Sequence, residues 1–329
     1  MAGLKAVGDF KLDKAEIVTS SGMVIDLSAS ILNITIFEDT TMTAVTGDIL
    51  LQDSFALTSI GPIIGQEYLK LKIQTPTLTH EEEIIDFTEN VFIINSLESR
   101  VQVGNNVQVY LLNFTSSELV SNQRTKVSRS LKGSYSDIVK IMLNEVNCKK
   151  KVYIEPTSGI KRIVAPNVRP FDIIKMATRE AVSKFFSNPN YLFFETLKGY
   201  HFRSLSSLYA QSPIQTYTQY VHGSSVDRGG AVNIEKELGN ILDFEIVENA
   251  NSLTNYTVGV YASNLIVHDI YSKSYKKYQY GIFDNFRKEQ HITSHHKSNG
   301  DDFPIYSHLH VDDKGRMVQD FPARTFVTP

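Results

Sequence analysis

The sequence has one cysteine, Cys148, and no tryptophan. A single thiol cannot close an internal disulfide or build a cysteine-based zinc site alone. That fits folding in a reducing compartment. Cys148 follows an apolar helical pattern and reads as a small packing residue rather than a nucleophile. No run of 18 apolar residues exists, so no transmembrane helix is expected. The first twenty residues carry Lys5, Asp9, Lys11, Asp13, Lys14 and Glu16 and lack the apolar centre of a signal peptide. Gly is only 18 and Pro 10 of 329 residues, and no heptad persists, which excludes collagen-like and coiled-coil rods. What is present is ordinary globular material. With 42% hydrophobic and 21% charged residues the chain can bury a core that offsets its ordering entropy. Its length suggests about two domains, or three small ones.

Net charge is −3, but it is unevenly spread. Residues 1–115 hold 6 Lys/Arg against 15 Asp/Glu, a balance of −9. Residues 116–205 hold 16 against 7, or +9, and residues 206–329 hold 11 against 14, or −3. Such blocks suggest three regions with different surroundings.

The first region reads as β. Met23–Phe37, Asp48–Phe55 (after a turn at Thr46-Gly47), Tyr68–Thr75, Ile84–Leu97 and Val107–Phe114 alternate or run apolar between Gly, Asn and Pro turns. That spacing suggests an antiparallel sandwich or barrel. His80-Glu81-Glu82-Glu83 reads as a polar loop. The second region changes period. Ser134–Val146 has helical spacing, with Ser134 and Asp137 resembling a capping box. Pro170–Val182 follows with proline in its first turn. Tyr191–Glu195 and Tyr200–Arg203 flank Lys198-Gly199 as a hairpin. Lys149-Lys150-Lys151 lies just after a helix end, where cations meet the helix dipole favourably. The third region is β again, through Ile241–Val247, Tyr256–Ala262 and Leu265–Tyr271, after a glycine-rich connection at Gly223–Gly230.

Familiar catalytic signatures are missing. There is no Gly-Lys-Ser/Thr phosphate loop, no dinucleotide fingerprint and no Gly-x-Ser-x-Gly elbow. No recognised nucleic-acid module is visible either, although the basic middle region could attract phosphates. The one constellation is histidine: His291, His295, His296, His308 and His310 fall within twenty residues. His291 and His295 could chelate zinc on a helix, and His308 and His310 would share one face of a strand. The stretch reads His-Ile-Thr-Ser-His, without the glutamate of a metalloprotease motif, and Lys297 to Asp302 mark an exposed loop. The expectation is no catalytic, cofactor or metal residue, with His291, His295, His308 and His310 as the weak metal candidates.

Two segments carry a resemblance. One is Ser59–Ile73, SIGPIIGQEYLKLKI, a glycine- and proline-rich turn entering an alternating strand. The other is Pro170–Arg203, a Pro-Phe-led helix followed by an apolar hairpin with a Lys-Gly turn. With the element order, they resemble the baseplate hub proteins of contractile-tailed phages, whose architecture type VI secretion spike hubs share. The resemblance implies a mainly β fold with a smaller α+β part: two related β-barrel tube domains and an α+β domain that grips a spike. Mapped here, residues 1–115 would be the first tube domain, 116–205 the α+β domain and 206–329 the second tube domain with insertions. It further implies a homotrimer whose six barrels match the six-fold tail tube, with a tube or tube-initiator protein on one face and a central spike on the other. Phage DNA would pass through transiently, and the protein would sit in the virion tail after assembly in the host cytoplasm.

No lysozyme-sized domain follows the hub part in this sequence, so the spike tip and any cell-wall lysis are expected from a separate polypeptide and no enzymatic activity from this one. If part of the −9 charge faced the lumen, it would repel DNA phosphates within roughly one Debye length of about 8 Å. Two other readings remain. One is a metal-dependent hydrolase built on the histidine cluster; the other is a glycan- or receptor-binding tail module, suggested by the tyrosine-rich third region.

Overall fold

The computed structural model describes residues 10–60, 63–74, 84–104, 107–213, 216–219, 240–241, 243–245, 251–281, 285 and 324–328. The described residues divide into two compact units: one holds those up to Leu205 together with Asn240, the other the remainder.

Seven antiparallel strands open the first unit: β1 (Lys11–Val18), β2 (Val24–Asp26), β3 (Ile31–Phe37), β4 (Thr46–Asp53), β5 (Tyr68–Gln74), β6 (Ile85–Gln102) and β7 (Gln108–Ser116). Their order is β2-β1-β5-β6-β7-β4-β3. Alternation puts Ala15 and Ile17, Ile49 and Leu51, Leu69 and Leu71, and Tyr110, Leu112 and Phe114 on one buried face. This sheet cannot be flat. Laid out, its edge strands β2 and β3 would lie roughly 29 Å apart, six spacings of about 4.8 Å. Yet Asp26 is only five residues from Ile31, a reach of at most about 18 Å. The sheet therefore curls into a half-barrel. The link itself bonds to both sides, Leu27 N–H donating to Ala15 C=O and Gln52 N–H to Ser30 C=O, both at 2.8 Å. Register breaks in β6 at Ile94/Ser96 and Glu98/Val101 supply bends of the β-bulge kind.

Each strand expected in residues 1–115 is present, Met23–Phe37 being split into β2 and β3. Thr46-Gly47 is not a turn. Gly47 lies within β4, between Ile36 of β3 and Phe114 of β7. A Cβ there would come within 2.3 Å of the Phe114 ring and 2.4 Å of the Thr35 carbonyl oxygen, so the glycine serves close packing. The expected loop at His80–Glu83 lies outside the described residues.

The rest of this unit is α+β. After α1 (Leu57–Ile60) in the half-barrel come α2 (Ser117–Arg124), β8 (Val127–Gly133), α3 (Tyr135–Glu145), β9 (Val152–Ile154), β10 (Lys161–Val168), α4 (Pro170–Glu180), β11 (Tyr191–Thr196) and β12 (Gly199–Ser204). β11, β12 and β9 form one sheet, with β9 parallel to β12, while β8 and β10 form a separate antiparallel ribbon. Ile138, Met142, Ile173, Ile174, Ala177, Phe193, Tyr200 and Phe202 share one core. Ser134 caps α3 as expected, accepting from the Asp137 N–H. The Ser134 hydroxyl donates to the Asp137 carboxylate at 2.5 Å, so the reciprocal half of the capping box is not formed.

Elements of the second unit are fewer. After α5 (Leu205–Tyr209) come the two-residue strands β13 (Thr218–Gln219) and β14 (Asn240–Ile241), then α6 (Ser252–Val258), β15 (Ala262–Asp269), β16 (Ser274–Gly281) and β17 (Arg324–Thr328). The last three strands form a sheet in the order β16-β15-β17. Two sequence expectations are corrected. Tyr256–Ala262 is not a strand, because α6 runs through Val258. The Asn251 side chain accepts from Thr254 N–H at its start, and Gly259 ends it at φ +85°, where Val260 N–H reaches Asn255 C=O. In Ile241–Val247 the strand stops at Ile241, and Asp243–Glu245 have no regular structure; Phe244 is 57% exposed, so alternation there has no core to face.

Candidate functional site

No single cleft concentrates reactive groups among the described residues. The chemistry worth building up lies at the two resemblance segments and where they meet their neighbours.

In the first segment, Gly65 turns the chain at φ +84° and Glu67 follows, fully buried. The Glu67 carboxylate accepts from Ile64, Gly65 and Gln66 N–H at 2.7, 2.9 and 3.0 Å. One side chain thus satisfies three successive backbone donors at a place with no strand partner for them. The Glu67 carbonyl then accepts Ile94 N–H, tying the turn to β6.

The second segment starts with Pro170 at the first helical position, and the next N–H, of Phe171, is taken by the buried Asn122 side chain of α2 at 2.8 Å. Its hairpin places Gly199 at φ +131° against the Lys151 carbonyl, where a Cβ would sit 2.1 Å from the oxygen. That approach lets Tyr200 N–H donate to Lys151 C=O and start the parallel β12–β9 pairing.

The hairpin also brings Glu195 into a buried ion cluster. Lys150 Nζ lies 2.8 Å from Glu118 Oε2 of α2 and 2.6 Å from Glu195 Oε1 of β11. The second Glu195 oxygen accepts Val45 N–H at 2.8 Å, so the cluster links the α+β part to the half-barrel. Leu197 N–H donates to Glu38 across the same junction. Burial alone would lower the Lys150 pKa; the charges of Glu195 and Glu118 outweigh it and hold it above the usual lysine value. The Tyr200 phenol beside them is pushed well up, by burial first and by those carboxylates second, and stays neutral. The cluster has its charges matched to backbone and lysine donors, which makes it a structural clamp.

Cys148 is half-buried on the α3 side of this core, and burial pushes its thiol up to about 11, with the Glu118 charge adding to the shift. The protonated thiol agrees with the packing role read from sequence. It lines a groove of about 410 Å³ with Lys140, Leu143, Asn144, Val152 and Ile154. His201 of β12 is stacked between Tyr153 and Phe194, with ring centroids 4.6 and 4.9 Å away. Burial and the nearby Arg203 lower its pKa.

The weak metal candidates His291, His295, His308 and His310, and the Gly223–Gly230 connection, lie outside the described residues. Among the described residues no three His, Cys, Asp or Glu side chains are grouped to hold a metal, and no helix is long and apolar enough to cross a membrane. The cluster of Lys150, Glu118 and Glu195 is not among the sequence expectations, in which Lys150 only meets the dipole of a helix end. The available signal was Glu195 itself, a carboxylate closing the otherwise apolar strand YLFFE.

No family model and no curated protein matches the sequence. Among solved structures, the chain is similar to the 43 kDa tail protein of prophage MuSo2 from Shewanella oneidensis (9% identity, TM-score 0.45, covering 82% of this chain and 69% of that one). It is similar also to the tail protein from Neisseria meningitidis MC58 (12%, 0.47, 96% and 71%). A third is the E. coli c3393 protein, described as a type VI secretion component with structural similarity to T4 bacteriophage tail proteins (10%, 0.35, 65% and 53%).

Proposed function

We propose that the chain is a structural subunit of a phage tail baseplate hub, three copies of which close into a ring that adapts a six-fold tail tube to a three-fold central spike. The observation that carries this reading is the open half-barrel. Its edge strand β3, Ile31–Phe37, contains no charged residue, and Leu32 and Phe37 are 54% and 53% exposed. Edge strands normally carry charge, proline or a cover against pairing with other chains. An apolar edge on a curled sheet suits a protein that completes itself against a neighbour. The two resemblance segments support the reading in a second way: each holds backbone that the fold needs, through Glu67 in the half-barrel and Gly199 in the α+β part.

In this reading residues 1–115 are the first tube domain, 116–205 the spike-gripping domain, and 206–329 hold a second, related tube domain. The tube or its initiator and the spike dock on opposite faces, DNA crosses without stable contact, and the site is the virion tail, reached after assembly in the host cytoplasm. The role is mechanical and needs no catalysis. Acidic surplus in residues 1–115 keeps attraction to DNA weak. Native mass spectrometry of the untagged chain tests the oligomer. The expected species is a trimer of about 111 kDa, three copies of 37.1 kDa, and a monomer or dimer alone would count against the ring.

A surface-binding role has one observation of its own, because Tyr271, Tyr275 and Tyr278 on the β15–β16 hairpin are 99%, 72% and 53% exposed. A glycan screen returning a specific ligand would favour it.

A further inference from the structure

Burial changes the charge balance of residues 116–205. Lys150, Glu118, Glu195 and Glu155 are withdrawn into the interior. What remains at the surface is 15 Lys/Arg against four carboxylates, Asp137, Glu145, Asp172 and Glu180, a balance of +11 rather than +9. Part of this surplus is concentrated on the β8–β10 ribbon, whose sequences VSRSLKG and KRIVAPNV contain four cations and no acid. One face of the ribbon packs Val127, Leu131 and Ala165 into the core. The other is exposed and pairs Lys132 with Arg162, Ser130 with Val164 and Ser128 with Pro166 directly across the strands. Like charges opposite each other destabilise a ribbon. Neither Lys132 nor Arg162 has an ion-pair partner among the described residues, whereas Arg129 is held by Glu145.

In the half-barrel three of the five described cations are ion-paired, and Lys70 and Arg100 have no ion-pair partner among the described residues. Lys11, Lys14 and Lys72 are each matched to a carboxylate, Asp13, Glu16 and Asp86. It also presents Asp26, Glu89 and Glu98 exposed and with no ion-pair partner among the described residues. One chain therefore carries a basic face that its own acids do not neutralise and an acidic region with carboxylates to spare.

We propose that the outward face of the β8–β10 ribbon in one copy docks on the acidic half-barrel region of a second copy. The contact joins two different patches, so it is heterologous and propagates around a ring. It rests on the hub reading and adds to it which surfaces meet. Val164, 67% exposed between the cations and Pro166, supplies apolar area at the centre of the patch. A nucleic acid would also be drawn to Lys132 and Arg162, but the −9 of residues 1–115 on the same chain opposes it.

The test is sedimentation velocity of the full chain at micromolar concentration in about 50 mM and about 500 mM NaCl, with thermal unfolding recorded alongside. For the wild type, the higher salt is expected to weaken association by about tenfold or more. K132E/R162E is expected to weaken it by about as much at low salt with unfolding unchanged, and K132R/R162K to restore it. Should the double reversal fail to fold, the salt dependence of the wild type decides alone. Three-fold rings that ignore both salt and reversal would overturn the contact while leaving the hub reading in place. Rings of another symmetry that respond to both would uphold the contact and sink the hub. A chain that stays monomeric throughout overturns the contact. So does K132E/R162E abolishing binding to a labelled DNA duplex with self-association untouched, which would assign the ribbon to nucleic acid.

Discussion

Both parts of the first unit bury carboxylates, and among the described residues the α+β part alone sets two of them around a buried lysine. In the half-barrel, Asp53 and Glu67 have no ion pair among the described residues: Asp53 accepts from Phe55 and Leu57 N–H at 2.9 and 2.8 Å and from the Tyr110 hydroxyl at 3.2 Å, Glu67 from three backbone donors. In the α+β part, Glu118 and Glu195 surround a lysine with one backbone bond from Val45, while the buried Glu155 accepts from Ser204 N–H and from the Ser183 and Ser204 hydroxyls. A sheet that curls must leave its ladder at the bends, and a carboxylate can satisfy several orphaned donors at once. Two packed substructures instead need a group that reaches between them, and a long lysine between two acids does that. The first device stabilises a turn, whereas the second sets how the half-barrel and the α+β part are joined.

Breaking the ion cluster should have the largest effect. K150M leaves two buried carboxylates without their cation and is expected to cost about 3–5 kcal/mol in chemical denaturation of the full chain. K150M/E118Q/E195Q keeps an acceptor for Val45 and removes the charges, so most of the loss should return. An equally unstable triple variant would mean that the charges are not the source.

E67A follows, at about 2–4 kcal/mol, because three N–H groups lose their acceptor together. Hydrogen exchange should speed up at Ile64, Gly65 and Gln66 and leave the α3 amides unchanged. Parallel acceleration in α3 would show that the turn is not a local device.

Two glycines sharpen the contrast between packing and backbone freedom. G47A is expected to cost about 2–3 kcal/mol, since its Cβ meets the Phe114 ring and a carbonyl. G22A, at φ +84° in open space, should cost about 1 kcal/mol. Equal losses would contradict the close-approach argument.

The smallest effect concerns pH. His201 has a folded-state pKa below the ordinary histidine value of 6.5, because burial and Arg203 disfavour its charge. The unfolded state then takes up a proton first, so stability is full above pH 6.5 and declines as pH falls below it, until the folded pKa is passed. H201F keeps the stack on Tyr153 and Phe194 and should remove that decline. An unchanged profile between about pH 6.5 and 5 would assign the slope elsewhere.

Much of this was readable beforehand. Strict alternation in YLKLKIQ fixed the inward set Leu69 and Leu71 of β5, and Pro170 with Ile173, Ile174 and Ala177 gave α4 its start and its buried face. Local period and capping suffice where an element buries one face. They failed where tertiary contact decides. Gly47 looks like a turn glycine until Phe114, 67 residues away in sequence, packs on it. Lys150 sits between Lys149 and Lys151, and nothing local separates the buried lysine from the two exposed ones. At α6 the period-two appearance of Tyr256–Ala262 competed with an Asn cap and a Gly stop, and the caps won. Glu118 and Glu195 are far apart in sequence and meet only through the fold.

Electron-microscope class averages of the purified, untagged chain at micromolar concentration test the central claim most directly. Three-fold rings with a central opening and a particle mass of about 111 kDa, three times 37.1 kDa, are expected. Compact single-copy particles at every concentration, or closed assemblies of another symmetry, would contradict it.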